Sequence, residues 1–398
     1  MRFVKVVRKS ILLSGLLALH ACGGGGSDGG DGISGIPPGE GPALGTGVFK
    51  DSNVTGLTYT SGARSGVTGQ DGLFTFEHGA TTTFKVGAVT LGSTTGDKEI
   101  VTPIDLVAGG TSTMPAVVNM ARFLMMLDAD GIPDNGIVIS ANVQGRAANW
   151  SPVNFSDAGI DAILTTLAAD ARSADAGLHP IPTADAARMH LESSFYCARS
   201  GMYRGTFTGA DPGRFTVIIT PSNGRVDGIG ALSARLGTFA ITGDAPLSRD
   251  QNLTVTAHSD QTGATFSGKL SGSDTLSGTF AQAGTNGGTF TGARLLARRD
   301  AIYRYSGFFS DLAVPETGSV TFDVNAAGQV TGVAYGLIRD QLVDFTGTLS
   351  NGTLNATAAN GAVIRATLQT LVLDTLLSGT WTGTGAAGTF FGLGCKLN

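Results

Sequence analysis

The sequence predicts a mainly β protein, with a small N-terminal β-sandwich, a short helical segment, and two repeated antiparallel meander units of β-barrel type. Three observations predict it. Glycine supplies 60 of the 398 residues while charged residues make only 14%, a composition suited to short strands joined by tight turns. Apolar residues alternate along those short stretches, which is the strand period. The C-terminal half also repeats itself: Met202-Tyr203-Arg204-Gly205-Thr206-Phe207 aligns with Tyr303-Arg304-Tyr305-Ser306-Gly307-Phe308-Phe309, and Gly288-Thr289-Phe290-Thr291-Gly292 with Gly388-Thr389-Phe390-Phe391-Gly392.

The chain opens on a basic start (Arg2, Lys5, Arg8, Lys9) and an apolar run from Ile11 to Leu19. That run is too short to span a bilayer as a helix and reads, over residues 1–21, as a signal peptide. Leu19-His20-Ala21-Cys22 resembles the lipobox of bacterial lipoproteins. The resemblance implies cleavage before Cys22, acylation of its thiol and new amino group with palmitate-type chains, and anchoring in the outer membrane. The alternative is an ordinary secretory signal with a chance cysteine. Residues 22–45 are Gly, Ser, Asp and Pro with almost nothing to bury. They form a solvated tether with a span of roughly 25–30 Å.

Residues 46–106 hold the expected sandwich. Val54, Leu57 and Tyr59 lead to Gly62, Val67 leads to Asp71-Gly72, and Leu73-Phe74-Thr75-Phe76 follows. Asp-Gly between such runs predicts a hairpin, because both turn positions can need positive φ. The order Val54 to Tyr59, Gly66 to Thr68 and Asp71 to Phe76 resembles the carboxypeptidase-regulatory, prealbumin-like modules of bacterial surface proteins, which are mostly spacers.

Residues 107–196 read as a helical linker domain. From Pro115, the residues Val118, Ala121, Phe123, Leu124 and Leu127 recur at helical spacing. A second helix is expected over Ser156–Ala171, capped by Ser156 or Asp157, and a third from Thr183 through His190 and Leu191. Between the first two lies Asp128-Ala129-Asp130-Gly131-Ile132-Pro133-Asp134-Asn135-Gly136. Asp128, Asp130, Asp134 and Asn135 offer oxygen ligands suited to a calcium ion, but Ile139 stands where an EF-hand places its bidentate Glu. The same residues also make Asx turns, so a calcium-stabilised loop and a purely structural one both remain open. The stretch from residue 46 to 140 is similar to a segment of Gram-negative lipoproteins. No other cofactor is expected.

The two repeats occupy residues 197–298 and 299–398, each a run of about eight short alternating strands. Such a meander leaves open edges unless it closes into a barrel; two barrels, or one larger body, satisfy it. Cys197 precedes the first copy and Cys395 ends the second. In an oxidising envelope compartment they form one disulfide, or else two buried free thiols. The glycine-aromatic strand pattern resembles the β-barrel regions of Gram-negative surface lipoproteins, including the transferrin-binding type; it carries no ligand motif.

A net charge of -5 without a basic cluster beyond the signal excludes a nucleic-acid partner. No Gly-x-Ser-x-Gly elbow, P-loop or zinc-protease motif occurs. His258, Ser259 and Asp260 are neighbours on one segment, not a triad, and His190 lacks a second metal ligand nearby in sequence. The expectation is therefore a non-enzymatic, lipid-anchored envelope protein, surface-exposed, that binds a protein or glycan. Phe308, Phe309, Trp381 and Trp150 are its candidate contact aromatics. A periplasm-facing structural lipoprotein, or a hydrolase without a recognisable motif, is the alternative, and the sequence does not fix the oligomeric state.

Overall fold

The computed structural model describes residues 42–397 apart from 96–97, 99, 210, 234–236, 248–252, 272–273, 283–284, 297, 299–300, 312–316 and 371–374. The expected signal peptide, Cys22 and nearly all of the expected tether lie outside the described residues.

Two small sheets begin the folded body. Leu44–Phe49 pairs with Leu73–Glu77 and with Ile100–Val101; a second sheet runs Arg64–Val67, Thr58–Ser61, Thr82–Val86, Val89–Thr94. Phe49, Tyr59, Phe74 and Phe84 meet between them, with ring centroids 4.9 Å apart for Phe49–Phe84 and 5.0 Å for Phe74–Phe84. The expected Asp71-Gly72 hairpin is corrected. Both residues do have positive φ, 64° and 69°, yet the strand that follows pairs with Leu44–Phe49 rather than with Arg64–Val67. The turn carries the chain from one sheet to the other. It fits only because Gly72 has no Cβ, which would stand 2.6 Å from the Phe49 carbonyl oxygen.

The sheets share one continuous core with the helices Pro115–Met126, Ala141–Ala147, Ile160–Asp175 and Ala184–Arg199. Thr183 caps the last of these, its Oγ1 accepting from Ala186 N at 3.1 Å. The helix expected from Ser156 starts four residues later. Asn154 and Asp157 instead turn their side chains onto Ser156 N (3.0 Å) and Gly159 N (2.6 Å), spending these residues on Asx turns before Ile160. None of the described helices is long and apolar enough to cross a membrane.

The two repeats form two closed eight-stranded antiparallel barrels. The first runs from Gly201–Gly209 to Thr285–Leu295 and closes with Gly205 opposite Gly292; the second runs from Ala301–Asp311 to Ala386–Lys396 and closes with Gly307 opposite Gly392. Every strand pairs with its sequence neighbour, so closure removes the open edges of a meander. Many inward Phe rings reach over a glycine of the adjacent strand. At Gly230 a Cβ would stand 2.3 Å from the Phe239 ring, and at Gly332 2.2 Å from the Phe345 ring. The density of glycine in the sequence follows from this packing.

Met202, Ala231, Val333, Tyr335 and Leu337 pack together where the barrels meet. Thr216 Oγ1 and Ser319 Oγ lie 2.6 Å apart there, both buried. Cys197, in the last helix, is disulfide-bonded to Cys395 in the final strand across 198 residues of sequence.

Candidate functional site: the mouth of the second barrel

The registers place each residue of one barrel in correspondence with one of the other. Phe215 stands opposite Gly205 and Val320 opposite Gly307; Phe239 faces Gly230 while Val343 faces Ala334. Phe266 pairs with Phe280 where Ile364 pairs with Trp381. Leu232, opposite Gly213, corresponds to Gly336, opposite Gly318. Three phenyl rings and a leucine near one end of the first barrel thus become Val320, Val343, Ile364 and Gly336 in the second.

The volumes follow. At that end of the first barrel Phe207, Phe239, Phe266 and Phe280 leave about 10 Å³, and at its other end Phe195 and Tyr196 of the helix Ala184–Arg199 join the core. The second barrel keeps a cavity of about 270 Å³. Its floor is Phe322 and Phe345, one layer deeper, where the first barrel has Val217 and Ile241. An eight-stranded barrel is just wide enough to hold either packed side chains or one small ligand.

The cavity has two unlike sides. Phe309, Trp381 and Phe390 come from the three adjoining strands Ala301–Asp311, Thr375–Gly383 and Ala386–Lys396. Trp381 stands edge-on to Phe309, with centroids 6.2 Å apart at 84°, and its Nε1 donates to Ser310 O at 3.3 Å. Ala334, Val343, Ala358, Ala362 and Ile364 supply the aliphatic side. At the rim are Asp311 and Arg339, one charge of each sign, with the uncharged Gln341, Asn360 and Thr384. Asn360 Oδ1 accepts from Ala362 N at 3.1 Å, which turns its carbonyl, rather than its amide N–H, to the backbone.

Of the described residues singled out in sequence, Phe309 and Trp381 line this mouth and the others lie elsewhere. In the Asp-rich loop, Asp128 Oδ2 and Asp130 Oδ1 both accept from Ile132 N at 2.8 Å, Asp128 Oδ1 accepts from Val138 N at 2.9 Å, and Asn135 Nδ2 donates to Asp130 Oδ2 at 2.8 Å. Burial pushes the Asp128 carboxyl up to about 6, and the bond from Asn135 holds Asp130 low. Asp134 turns away to accept from His190 Nδ1 at 3.1 Å. Among the described residues no group of three or more His, Cys, Asp or Glu is placed to hold a metal ion. Asp128 and Asp130 thus accept from the loop's own backbone and from Asn135, and Asp134 from His190.

His190 also faces Asp51, Nε2 to Oδ1 being 3.8 Å. Burial alone would lower the imidazole, but the hydrogen bond to Asp134 and the charge of Asp51 raise it. Asp51 is fully buried, and burial raises its carboxyl to about 6. His258 and Asp260 are exposed at a turn, 3.5 Å apart, while Ser259 between them is buried. Trp150 is buried and donates to Asp170 at 2.7 Å.

Most of the mouth's lining, Val320, Val343 and Ile364 among it, and the outward Phe391 went unrecognised in sequence. Phe391 is 62% exposed on the outer wall of the second barrel, 6.4 Å from Phe308. Val320 was unmarked because a valine in an alternating strand looks like any core residue. Its signal was the repeat itself, where Phe215-Thr216-Val217 aligns with Val320-Thr321-Phe322.

Fold and cavity together define a tandem-barrel protein with one filled and one open barrel. No family model matches the chain, and no curated protein matches it in sequence. Among solved structures it is similar to transferrin binding protein B of serogroup B Neisseria meningitidis, at 9% identity and TM-score 0.19, over 46% of this chain and 58% of that one. A second is a mutant transferrin binding protein B of Haemophilus parasuis, at 7% identity and TM-score 0.18, over 48% and 66%. A third is a protein of unknown function from Nostoc punctiforme, at 7% identity and TM-score 0.17, over 52% and 98%. The chain spans less than two thirds of both transferrin binding proteins, and at these identities the likeness is one of fold alone.

Proposed function

We propose that this chain is a non-enzymatic binding protein of the bacterial cell envelope, lipid-anchored at Cys22 in the outer membrane and exposed at the surface, with the second barrel as its receptor part. The observation that carries the reading is the paired difference between the barrels: the same strand plan is packed solid in one and left with a 270 Å³ apolar cavity in the other. Ligand sites are concave, largely apolar and ringed by a few polar groups, and this mouth has that make-up. The lipobox sequence supports the anchor.

A second reading keeps the protein or glycan ligand expected from the sequence and places it on the outer wall, where exposed Phe391 adjoins Phe308. Aromatic anchors of this kind mark interaction surfaces.

The test is titration of the purified chain, carrying Trp150→Phe so that Trp381 is the sole tryptophan, with the small uncharged dye 1-aminonaphthalene, which is of a size to enter this cavity. The cavity reading expects saturable energy transfer from Trp381 that disappears in Val320→Phe/Val343→Phe. Transfer that is absent, or unchanged in that variant, contradicts it; loss of dye binding in Phe391→Ser alone favours the outer wall.

A further inference from the structure

The shape and lining of the mouth narrow the ligand, given the receptor reading above. A cavity of about 150 Å³ holds a benzene; in proportion, 270 Å³ accommodates about eleven non-hydrogen atoms. The cavity is not isotropic. Phe309, Trp381 and Phe390 stand on three adjacent strands, and the small side chains Ala334 and Ala358 stand on strands on the other side, with Ala362 just before the strand Val363–Thr370. A slot with rings along one side and short aliphatic groups along the other suits a flat guest, which can meet the rings face-on or edge-on. A flexible chain of the same atom count would lose rotamer freedom to fit there.

The rim defines the other end of the ligand. Gln341 begins the strand Gln341–Ser350, and Asn360 and Thr384 sit on two different turns, all three at the opening. Asp311 and Arg339 bring opposite charges to the same rim, so neither sign of ligand charge is favoured. Uncharged donors and acceptors at the edge of an apolar slot recognise a hydroxyl or similar group.

We propose that the mouth of the second barrel takes a flat aromatic compound of two-ring size bearing one uncharged hydrogen-bonding group. The ring lies against Phe309 and Trp381 with Phe322 and Phe345 beneath, and its polar group points out to Asn360 and Gln341. Valine and isoleucine at positions 320, 343 and 364 are then specificity determinants, since phenylalanine at the corresponding places fills the first barrel.

The experiment compares 2-naphthol, decan-1-ol and naphthalene as probes, by isothermal titration calorimetry, which reads the binding of all three alike. The first two have equal numbers of non-hydrogen atoms. The expected result is that 2-naphthol binds about tenfold tighter than decan-1-ol. Asn360→Ala/Gln341→Ala should weaken 2-naphthol about threefold and leave naphthalene unchanged. Decan-1-ol binding as tightly as 2-naphthol, with both lost in Val320→Phe, overturns the aromatic assignment while the receptor reading stands. Naphthalene weakened as much as 2-naphthol in the rim variant overturns the polar assignment. No binding of any probe, or binding indifferent to Val320→Phe, overturns both readings.

Discussion

Phe215 and Val320 hold the same inward position in the two barrels, each directly across the ladder from a glycine of the first strand, Gly205 and Gly307. The exchange is balanced one layer deeper, where Val217 and Ile241 are answered by Phe322 and Phe345. Aromatic volume has moved down the bore of the second barrel rather than vanished. The deep core stays tight, and the empty space collects at the mouth.

The proposed anchoring at Cys22 has a direct consequence on cells. Protease added to intact cells should remove the body of the full-length protein while a periplasmic control survives, and Cys22→Ala should release the protein from the membrane fraction. Survival on intact cells with cleavage after permeabilisation would place the chain facing the periplasm and end the surface reading.

The disulfide between Cys197 and Cys395 spans 198 residues and ties the helix leading into the first barrel to the last strand of the second. For so long a loop the chain-entropy estimate is roughly 5 kcal/mol, an upper figure. Cys197→Ala/Cys395→Ala should therefore denature at markedly lower urea than the oxidised parent, and reduced parent should match the variant. Equal midpoints for oxidised and reduced protein would refute a stabilising clamp.

Arg304 and Asp323 form a two-fold ion pair, Nε to Oδ1 2.8 Å and Nη2 to Oδ2 2.9 Å, with 3% and 1% of each residue exposed. Removing one partner strands a buried charge, so Asp323→Ala should lose about 3–5 kcal/mol. The exposed pair Arg225–Asp227, side chains 57% and 32% exposed, supplies the contrast: Asp227→Ala should lose less than about 1 kcal/mol. Chemical denaturation of both variants checks the pair; similar losses would contradict it.

The contribution of Asp51 to stability should fall as pH rises from about 4 to about 6, against the lowered carboxyls of Asp130, Asp134 and Asp340, which act with the opposite sign at the acid end. Asp51, normally near 3.8, is raised to about 6 by burial, so in that window the folded chain keeps a proton that the unfolded chain has lost, and stability drops as the proton leaves. The raised Asp128 carboxyl acts with the same sign. His190, also raised, extends the fall above the ordinary imidazole range. Buried Lys50, lowered to about 7 by desolvation, opposes it from there upward. Asp51→Asn should flatten the profile between pH 4 and 6, read by thermal melting; an equally steep profile in the variant would remove Asp51 from the account.

The barrels were legible because alternation, turn glycines and an internal repeat all point to the same closed meander, and Gly230 or Gly332 is dictated by the ring lying over it. The third helix was legible at Thr183, where an N-cap precedes an apolar period. The Asp71-Gly72 turn was readable as a conformation but not as a connection. Positive φ is local, whereas the choice between Arg64–Val67 and Leu44–Phe49 as partner is made by the core. The cavity was harder still. Valine and phenylalanine both satisfy an inward strand position, so Val320 acquires meaning only when ring volume is compared across the registers of both barrels. The partnership of His190 with Asp51 and Asp134 joins residues 139 and 56 positions apart, a pairing that no local spacing announces.

The most direct test of the central claim is to place in the second barrel the residue the first one uses. Val320→Phe should melt at the same temperature as the parent or a few degrees higher, because it fills an existing cavity, and should lose 2-naphthol binding at least tenfold. An unchanged affinity in a folded Val320→Phe protein would contradict the assignment of the second barrel's mouth as the receptor site.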